Sequence, residues 1–510
     1  MISTERRFLQ FPHYEHQLEE YENHRDDIIR ALFWEQGLGK SKAAIDKACY
    51  LYTAGKINGF LVVAPPGIER NWVSKELPAH LWDRDNTLVT LYRSSSASAK
   101  YHQKELERSV NFNGFSVACI SYDAMKTDKG RDFARAFLGT RTVFQVLDES
   151  TRIKSSNRKC KTTRIALACT KHTAYRMIMT GTPVSNGPFD IFFPFVYLDP
   201  KFWKDREFSP FSTFKSYFGL FVSQELQNGR TFQRLVQYRQ LATLRHIISD
   251  VASRKTKAEC LDLPEKIYSR SYFPINAKQK QAYIDMESLY ACNNDGTAFD
   301  IESILTTPED ELDITTGQLA IVRLLRFQQI ICGYVPRDDG EPVAVLGKTN
   351  PRLDALEEVV ADHTFDGNKT IIWSRFRIDL ANIAERMRGL GYNVVEYHGG
   401  IDKDTREANI TAFQDGDAEI MVANKAMSQG FTLTACKTMI FNANTFSLED
   451  RQQEEDRAHR IGQDGNLKII DMCAQFDDCT STVDDQIIDA LQNKLRTANE
   501  ITGDGESNWT

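Results

Sequence analysis

The sequence predicts an α/β protein with two doubly wound, parallel-sheet lobes and helical insertions between them. In the first lobe, residues 59–66 and 141–149 are short β-branched and aromatic runs that end in turn-forming or acidic residues. Buried parallel strands have this composition. A second lobe is indicated by similar runs near the C-terminus, at residues 369–374, 392–398, 418–424, 437–443 and 467–473. Doubly wound sheets bind ligands at the carboxyl ends of their strands.

The loss of the strand pattern in the middle of the chain sets the predicted domain boundaries. We divide the chain into an N-terminal lobe, residues 1–265, and a C-terminal lobe, residues 266–510. We expect a helical insertion at about 200–255 in the first lobe and another at about 270–345 in the second. A further helix is expected at the C-terminal end of the second lobe.

The middle of the chain contains two predicted helices and an aromatic segment. Residues 232–249 and 276–291 have the pattern of helices, whereas residues 202–222 are dense in phenylalanine. An aromatic stripe of this kind is more often core than a surface on which bases stack, so we predict core. Residues 292–316 are polar and acidic and are expected to form a connection.

Composition limits the classes of protein that the chain can belong to. A net charge of −7 argues against a protein that coats nucleic acid over its whole surface, but it leaves room for a local basic groove. The ten cysteines include no Cys-x-x-Cys pair, so we expect neither a zinc site nor a disulfide framework. No apolar run has the length of a membrane span, and no apolar leader opens the chain. We therefore expect a cytosolic protein, in a bacterium or a phage-infected cell rather than a nucleus.

The stretch ALFWEQGLGKSKAAI, residues 31–45, has the features of a phosphate loop. The residues Gly37, Leu38 and Gly39 would let backbone N–H groups surround a phosphate at a helix N-terminus. Lys40 would reach the β- and γ-oxygens, and Ser41 would hold Mg²⁺. The full Gly-x-x-x-x-Gly-Lys-Ser pattern is not met, since Trp34 occupies the first glycine position. By itself, the stretch is also consistent with a turn that caps an ordinary helix.

Two further loops follow predicted strands. Asp148 and Glu149 end the run at 141–149, where a carboxylate pair suits an Mg²⁺ ligand followed by a general base that activates water. The sequence Thr-Gly-Thr-Pro, residues 180–183, follows an apolar run and precedes Asn186. This loop could sense a γ-phosphate, or it could be only a turn.

A pair of arginines lies far downstream in QEEDRAHRIGQ, residues 453–463. Gln453, Arg457 and Arg460 recur at intervals of four and three, so on a helix they would share one face. Two guanidinium groups beside a glutamine suit a surface that meets phosphates across a cleft. We expect His459 to point elsewhere and to be structural.

The ordered series of motifs resembles the helicases of superfamily 2, and specifically the Swi/Snf-type ATP-dependent DNA translocases. That family opens its phosphate loop with Gly-x-Gly-Lys-Ser/Thr, so Trp34 is no objection. The resemblance covers about residues 12–495, and DRAHRIGQ with the Asn71-Trp72 step is specific to the family. The remaining matches are LVVAPPGIERNW (61–72), ISYDAM (120–125), DESTRIK (148–154), MTGTPVSN (179–186), RKTKAECLDLPEK (254–266), IIWSRF (371–376), YHGG (397–400) and SQGFTLTA (428–435).

The resemblance implies two RecA-like lobes, ATP and Mg²⁺ as cofactors, and duplex or branched DNA as a partner bound with little sequence specificity. Gln17 would contact the adenine and Gly430 the nucleotide, while Arg457 and Arg460 would act as arginine fingers supported by Gln453. A last set of residues would lie along the DNA or couple it to ATP: Tyr122, Lys154, Asn186, Arg375, Ser428 and Thr432.

Departures from the family pattern concern the coupling to DNA. Thr151 stands where the family usually has histidine, Ser155 where it has asparagine, and Met427, Ser428 and Thr432 replace two glycines and an asparagine. The compact chain resembles the phage and bacterial members that remodel forks or migrate branches.

Two alternatives stay open at this stage. A strand-separating helicase for DNA or RNA would need a wedge element, which the insertions could contain. A DNA clamp gated by ATP would have little turnover, and the complete hydrolytic set of Glu149, Arg457 and Arg460 argues against it.

Overall fold

The computed structural model describes residues 8, 11–93, 98–157, 160–225, 231–293, 314–335, 344–364, 367–425, 431–505 and 507–509. Two parallel sheets dominate it: one of seven strands and one of six. Helices pack against both, as the prediction of two α/β lobes requires. Among the helices of these described ranges, none is both long and apolar enough to cross a bilayer.

The seven-stranded sheet forms the first lobe. The strands of this half of the chain are β1 (Ile29–Trp34), β2 (Gly59–Ala64), β3 (Thr87–Tyr92), β4 (Phe115–Ser121), β5 (Val143–Asp148), β6 (Tyr175–Met179), β7 (Gly219–Glu225), β8 (Thr231–Tyr238) and β9 (Ala252–Lys255). The sheet order is β3-β4-β2-β5-β6-β1-β9, and all its pairs are parallel. Every residue of β2, β4 and β5 is buried, as expected for strands covered on both faces.

This strand order positions the predicted loops. β5, β6 and β1 are neighbours, so the three loops that follow them meet at one edge of the sheet. These loops carry the acidic pair, the Thr-Gly-Thr-Pro turn and the phosphate loop, respectively. The topology therefore brings together the motifs that the sequence analysis selected separately.

Helices cover both faces of the first sheet. A π-helical stretch, Trp72–Glu76, and three short 3₁₀ segments, Ser150–Ile153, Thr170–His172 and Pro188–Ile191, complete this half. The α-helices are Glu15–His24, Lys40–Thr53, Ile68–Asn71, Leu77–His80, Ala99–Asn111, Tyr122–Met125, Asp128–Thr140, Lys161–Cys169, Phe192–Leu198, Phe211–Phe218, Leu241–Ser249 and Lys257–Cys260.

The insertion of the first lobe is not wholly helical, which corrects the prediction for 200–255. β7 and β8 pair as an antiparallel hairpin, so only Leu241–Ser249 of the predicted helix at 232–249 is helical. β8 has the sequence TFQRLVQY, whose β-branched and aromatic residues favour a strand once β7 provides a partner. Gln240, with a φ of 57°, separates β8 from the helix. The last four residues of the range form β9, the edge strand of the sheet.

The aromatic segment of the insertion is core, in agreement with its interpretation from sequence. Phe202, Trp203, Phe214 and Phe218 are buried in one cluster. The rings of Trp203 and Phe214 are 4.7 Å apart, and those of Phe214 and Phe218 are 4.6 Å apart. These rings pack against each other and leave no free face for bases.

The six-stranded sheet forms the second lobe. Its strands are in the order β10-β17-β16-β13-β15-β14, all in parallel, and they include all five runs predicted from sequence. The strands of this half are β10 (Lys266–Pro274), β11 (Tyr334–Val335), β12 (Ala344–Val345), β13 (Lys369–Trp373), β14 (Val394–Tyr397), β15 (Ile420–Ala423), β16 (Cys436–Phe441) and β17 (Leu467–Gln475). The helices are Ala277–Asn293, Ile314–Ile331, Pro351–His363, Arg377–Gly389, Lys403–Gln414, Leu448–Glu455 and Val483–Thr502.

Candidate active site

The phosphate loop connects β1 to the helix Lys40–Thr53. Gly37 and Gly39 both have left-handed φ angles, +92° and +76°, which a residue with a side chain rarely adopts. Gly39 is the residue before the helix, so the first N–H groups of the helix face the loop. A Cβ atom on Gly39 would also collide with the side-chain amide of Gln17. Backbone conformation and packing together require glycine at this position.

Two side chains of the helix Glu15–His24 contact the phosphate loop. Gln17 Nε2 donates to Leu38 O at 3.3 Å, and a ring nitrogen of His16 lies 2.8 Å from the same oxygen. Gln17 Oε1 accepts the N–H of Tyr14 at 3.1 Å. Gln17, which the resemblance assigns to the adenine, is therefore buried against the phosphate loop in this structure.

The ammonium of Lys40 lies at the base of the loop. Its Nζ donates to the carbonyls of Trp34 at 2.8 Å and Glu35 at 3.2 Å. Desolvation lowers the pKa of Lys40, while the carboxylates of Glu149 and Asp148 act in the opposite direction. Lys40 and the acidic pair therefore share one electrostatic environment.

Asp148 is fixed by neighbours from three elements. Trp72 Nε1 donates to its Oδ2 at 2.9 Å, and the N–H of Glu149 donates to its Oδ1 at 3.1 Å. Its backbone carbonyl accepts the hydroxyl of Tyr122 at 3.0 Å. Burial raises the pKa of Asp148, and the Trp72 hydrogen bond and Lys40 counter that rise.

Glu149 occupies a backbone conformation that directs its side chain toward the loop after β6. Its φ of 49° is left-handed, which is uncommon for a residue with a side chain. Thr180 Oγ1 donates to Glu149 Oε2 at 3.1 Å and accepts the N–H of Thr182 at 3.2 Å. Burial raises the pKa of Glu149, with Lys40 acting against it and Asp148 adding to it. A carboxylate whose pKa is raised is a stronger base, which suits the acceptance of a proton.

The second lobe brings its arginines to the same place. Arg460 Nη2 donates to Gln36 Oε1, next to the phosphate loop, at 3.3 Å. Arg457 is buried, and burial together with the charge of Arg460 lowers its pKa to about 10. The Glu149 carboxylate acts on Arg457 in the opposite direction. Two positive charges thus lie close together at the boundary between the lobes. They favour the binding of an anion there.

Gln453 is linked to the first lobe through a carboxylate. Gln453 Nε2 donates to Glu449 Oε1 at 3.4 Å, and Thr151 Oγ1 from the other lobe donates to the same oxygen at 3.0 Å. Burial raises the pKa of Glu449. Thr151, the departure from the family pattern, therefore forms a direct contact between the lobes.

The prediction that Gln453, Arg457 and Arg460 share one helix is wrong. The helix ends at Glu455, and both arginines lie in the turns that follow. The carbonyls of these turns bond elsewhere: that of Arg457 accepts the N–H of Leu433 at 2.8 Å, and that of His459 accepts Lys257 Nζ at 2.7 Å. Because these carbonyls have partners outside the segment, a continued helical ladder is replaced by tertiary contacts.

Lysines around the lobe boundary anchor the arginine segment. Lys257 Nζ is 2.5 Å from Asp456 Oδ1, and Lys266 Nζ is 2.9 Å from Glu455 Oε2. Although burial alone would raise it, these two lysines lower the pKa of Asp456 to about 2. His459 bonds to the carbonyl of Pro264 at 2.8 Å, which is a structural contact. The segment is therefore held in place by residues that flank the connection between the lobes.

The residues predicted to contact nucleic acid fall into different environments. Tyr122 is buried and its hydroxyl donates to the carbonyl of Asp148 at 3.0 Å, so in this structure it contacts the acidic pair. Lys154 contacts the hydroxyl of Ser185 and lies 3.6 Å from Asp190. Asn186 accepts the hydroxyl of Tyr238 on its carbonyl at 3.3 Å.

The remaining predicted contacts belong to the second lobe. The guanidinium of Arg375 lies 4.0 Å from the ring of Phe446, and Thr432 is exposed. Ser428 and Gly430 lie outside the described residues.

Two models of known protein families match this chain. The model of the SNF2-related domain matches residues 18–316, more than half of the chain. The chain belongs to the SNF2-related family. The model of the helicase conserved C-terminal domain matches residues 351–462 of the second lobe. The resemblance found from the motifs is thereby confirmed.

Curated relatives of this SNF2-related chain are distant and longer. It is 22% identical to the SWI/SNF-related matrix-associated actin-dependent regulator of chromatin subfamily A containing DEAD/H box 1 of Xenopus tropicalis, over 94% of this chain and 49% of that protein. It is 24% identical to the chromodomain-helicase-DNA-binding protein 1-like of Mus musculus, over 92% of this chain and 47% of that protein. The chain thus spans about half the length of these relatives.

A solved structure is also similar to this SNF2-related chain. It is the Sulfolobus solfataricus SWI2/SNF2 ATPase core in complex with dsDNA, with 19% sequence identity and a TM-score of 0.39. The match covers 91% of this chain and 88% of that one.

Several residues of the site were not selected from the sequence. Gln36 and Glu449 receive contacts across the lobes, and Lys257 anchors the arginine segment. The sequence gives no signal for Gln36 or Glu449, since polar residues next to loops are common. The position of Trp72 beside Asp148 had a signal in the Asn71-Trp72 step, but its hydrogen bond is visible only in the structure.

Proposed function

We propose that this chain hydrolyses ATP with Mg²⁺ and uses the cycle to move along duplex or branched DNA. Membership of the SNF2-related family supports the proposal, as does a site whose halves come from two lobes. The finer proposal is that this movement serves branch migration or fork remodelling.

The observation that carries the proposal is the approach of Arg460 to Gln36. It places a guanidinium of the second lobe beside the phosphate loop of the first, at 3.3 Å. A nucleotide held by that loop would be contacted from both lobes, so its hydrolysis would change the affinity of the lobes for each other. Arginines supplied in this way stabilise the charge of phosphoryl transfer.

Each residue of the first lobe has a role that its geometry fits. The backbone N–H groups from Gly37 to Gly39 and the ammonium of Lys40 bind the phosphates. Asp148 and Ser41 offer carboxylate and hydroxyl oxygens, the hard donors that Mg²⁺ prefers, and Asp148 is already oriented by Trp72. Mg²⁺ bound there would neutralise the phosphate charge.

Hydrolysis requires a base and stabilising positive charge. Glu149, whose pKa is raised by burial and whose side chain is held by Thr180, would take the proton of the attacking water. Arg457 and Arg460 would stabilise the charge on the phosphoryl group, and Gln453 would support them through Glu449. Gln17 would set the position of the phosphate loop and the adenine end of the site.

DNA binding would come mainly from phosphate contacts, with low sequence specificity and strong dependence on salt. The candidate residues are Lys154, Asn186, Arg375, Ser428 and Thr432.

The test is steady-state ATP hydrolysis without nucleic acid and with single-stranded, duplex, forked or four-way DNA, and with RNA. The Lys40→Ala variant is the blank, because it lacks the phosphate-binding ammonium. We expect duplex or branched DNA to stimulate turnover. Normal turnover in Lys40→Ala would refute the site assignment.

A strand-separating helicase is the second candidate, since the β7–β8 hairpin exposes Val222 and Val236 and could act as a wedge. Stimulation by single strands or RNA alone would favour this candidate. No stimulation by any nucleic acid would favour the clamp with little turnover, against which the paired arginines and Glu149 argue.

A further inference from the structure

The helix Val483–Thr502 joins the hydrophobic cores of the two lobes. Its first half contributes Val483, Ile487 and Leu491 to the core of the second lobe. Its last turns contribute Ala498 and Ile501 to the core of the first lobe, next to the helix Leu241–Ser249. A rigid element buried in both cores transmits the position of one lobe to the other.

The end of this helix fixes the direction of the next residue. Gly503 has a φ of +84° and ends the helix, and the N–H groups of Gly503 and Asp504 donate to Asn499 O at 2.7 and 3.0 Å. With Gly503 at C′, the bond from Asp504 is the 6→1 bond of a Schellman motif, and the bond from Gly503 is the 5→1 bond of the αL motif. The carboxylate of Asp504 is therefore presented in one direction by the backbone.

Asp504 meets an arginine at the edge of the first sheet. Arg254 Nε lies 2.9 Å from Asp504 Oδ1, and Nη2 lies 2.6 Å from Asp504 Oδ2, which is a two-point ion pair. Arg254 belongs to β9, the strand beside β1, and its side chain is largely buried. The pair links the helix that comes from the second lobe to the sheet of the first.

The same guanidinium holds the backbone behind the candidate active site. Arg254 Nη1 donates to Phe33 O at 2.7 Å and to Gly181 O at 3.0 Å, and Nη2 is 3.4 Å from Glu35 Oε1. Phe33 lies near the end of β1 and Glu35 begins the phosphate loop, while Gly181 belongs to the loop whose Thr180 orients Glu149. One side chain thus touches the supports of both the phosphate loop and the base.

A second contact joins Trp509 to the helix that precedes Arg457 and Arg460. Trp509 stacks on Tyr268 with ring centroids 5.6 Å apart, and the guanidinium of Arg451 lies 4.6 Å from the Trp509 ring. Arg451 is on the helix Leu448–Glu455, which leads into the segment of Arg457 and Arg460. Asp504 and Trp509 therefore contact structures that support the two halves of the site.

We propose that Arg254 is a positioning residue that Asp504 holds in place, so that docking of the Val483–Thr502 helix sets the geometry of the phosphate loop and of Glu149. The proposal rests on the proposed function, because its consequence is the rate of ATP hydrolysis. When the lobes separate, the helix carries Asp504 away and Arg254 loses its two-point partner. Hydrolysis is then efficient only while both lobes are docked.

The test compares two variants of the full chain. Asp504→Asn keeps the shape of the side chain and removes its charge from Arg254, whereas Glu500→Gln removes an exposed carboxylate from the same helix. Because charge-assisted hydrogen bonds are the strong ones, we expect Asp504→Asn to lower kcat about tenfold. The KM for ATP should stay within about twofold, since the phosphate-binding groups remain. Asp504→Glu should recover part of kcat, and Glu500→Gln should match the wild type.

Hydrogen exchange in the absence of nucleotide gives a readout that is independent of hydrolysis. Peptides that cover residues 29–39 should exchange faster in Asp504→Asn than in Glu500→Gln. Equal exchange and equal kcat in the two variants would overturn the positioning role, as would a lower thermal midpoint with unchanged exchange in that peptide. If the wild type does not hydrolyse ATP faster than Lys40→Ala, the proposed function fails, and the exchange comparison still decides the role of Arg254.

Discussion

Arg460 donates a hydrogen bond to Gln36 across the two lobes, at 3.3 Å, although the two residues are 424 positions apart in the chain. Arg460 is itself oriented by a 2.7 Å bond from its Nε to the carbonyl of Asp456, whose carboxylate is held by Lys257. The guanidinium that meets the phosphate loop is therefore placed by residues of both lobes. The relative position of the two lobes therefore determines whether Arg460 reaches the phosphate loop.

Replacing Arg460 with alanine should reduce turnover far more than ATP binding. Arginines that contact a transferring phosphoryl group contribute about 10³–10⁵ in kcat. ATP should still bind, because the phosphate loop and Lys40 belong to the other lobe. The measurement is kcat together with the affinity for a fluorescent ATP analogue. Arg388→Ala is the control, since it removes a half-exposed arginine of the same lobe that pairs with Glu396; equal loss in both variants would contradict the assignment.

Replacing Glu149 with glutamine should preserve ATP binding and abolish hydrolysis. A general base contributes about 10²–10⁴ in rate, and glutamine keeps the size of the side chain and its bond with Thr180. Burial raises the pKa of Glu149, so the base becomes protonated as the pH falls through a range above that of an ordinary carboxyl group. The acid limb of the wild-type kcat/KM profile, which reports groups of the free enzyme, should lie in that range. Turnover by Glu149→Gln at the wild-type rate would exclude Glu149 as the base.

Replacing Thr151 with valine should weaken the coupling between the lobes. The substitution removes the hydroxyl that bonds to Glu449 Oε1 at 3.0 Å while keeping a branched side chain of similar size. One hydrogen bond contributes about 1 kcal/mol, so we expect DNA-stimulated kcat to fall about fivefold. Thr151→Ser retains the hydroxyl and should stay near the wild-type rate. A valine variant with full stimulation by DNA would show that this contact does not contribute to coupling.

The strands of the two parallel sheets were predictable from the sequence, whereas the structure of the insertion between them was not. Strands such as β2 and β5 were predictable because a buried parallel strand must be a short, almost continuous apolar run. The β7–β8 hairpin was missed because the run at 232–249 also suits a helix, and only the pairing with β7 makes its first residues a strand.

The residues of the candidate site also divide into those that were predictable from the sequence and those that were not. Lys40, Asp148 and Glu149 lie at the carboxyl ends of β1 and β5 or in the loops after them, so their grouping was predictable from the topology of doubly wound sheets. The helix predicted through Arg457 and Arg460 was wrong, because lysines from other parts of the chain bind the backbone and the carboxylates of that segment. The pair of Arg254 and Asp504 spans 250 positions, and no local pattern indicates such a contact.

The stability of the second lobe should depend on pH through Glu454. This residue is buried on the helix Leu448–Glu455, and burial together with the charge of Asp450 raises its pKa to about 8. Because the folded-state pKa lies above the unfolded value of 4.5, the folded state binds a proton that the unfolded state has released. The stabilisation is fully present below the unfolded pKa, is lost as the pH rises toward about 8, and stays constant above that value.

Replacing Glu454 with glutamine isolates this contribution, because glutamine has the shape of the protonated acid and does not titrate. We expect the thermal midpoint of the wild type to fall relative to that of Glu454→Gln between pH 5 and about 8, and the difference to level off at higher pH. Glu385→Gln, which alters an exposed carboxylate on the helix Arg377–Gly389, is the matched control and should follow the wild type. A difference between the wild type and Glu454→Gln that is the same at every pH would mean that Glu454 has the same charge in the folded and unfolded states.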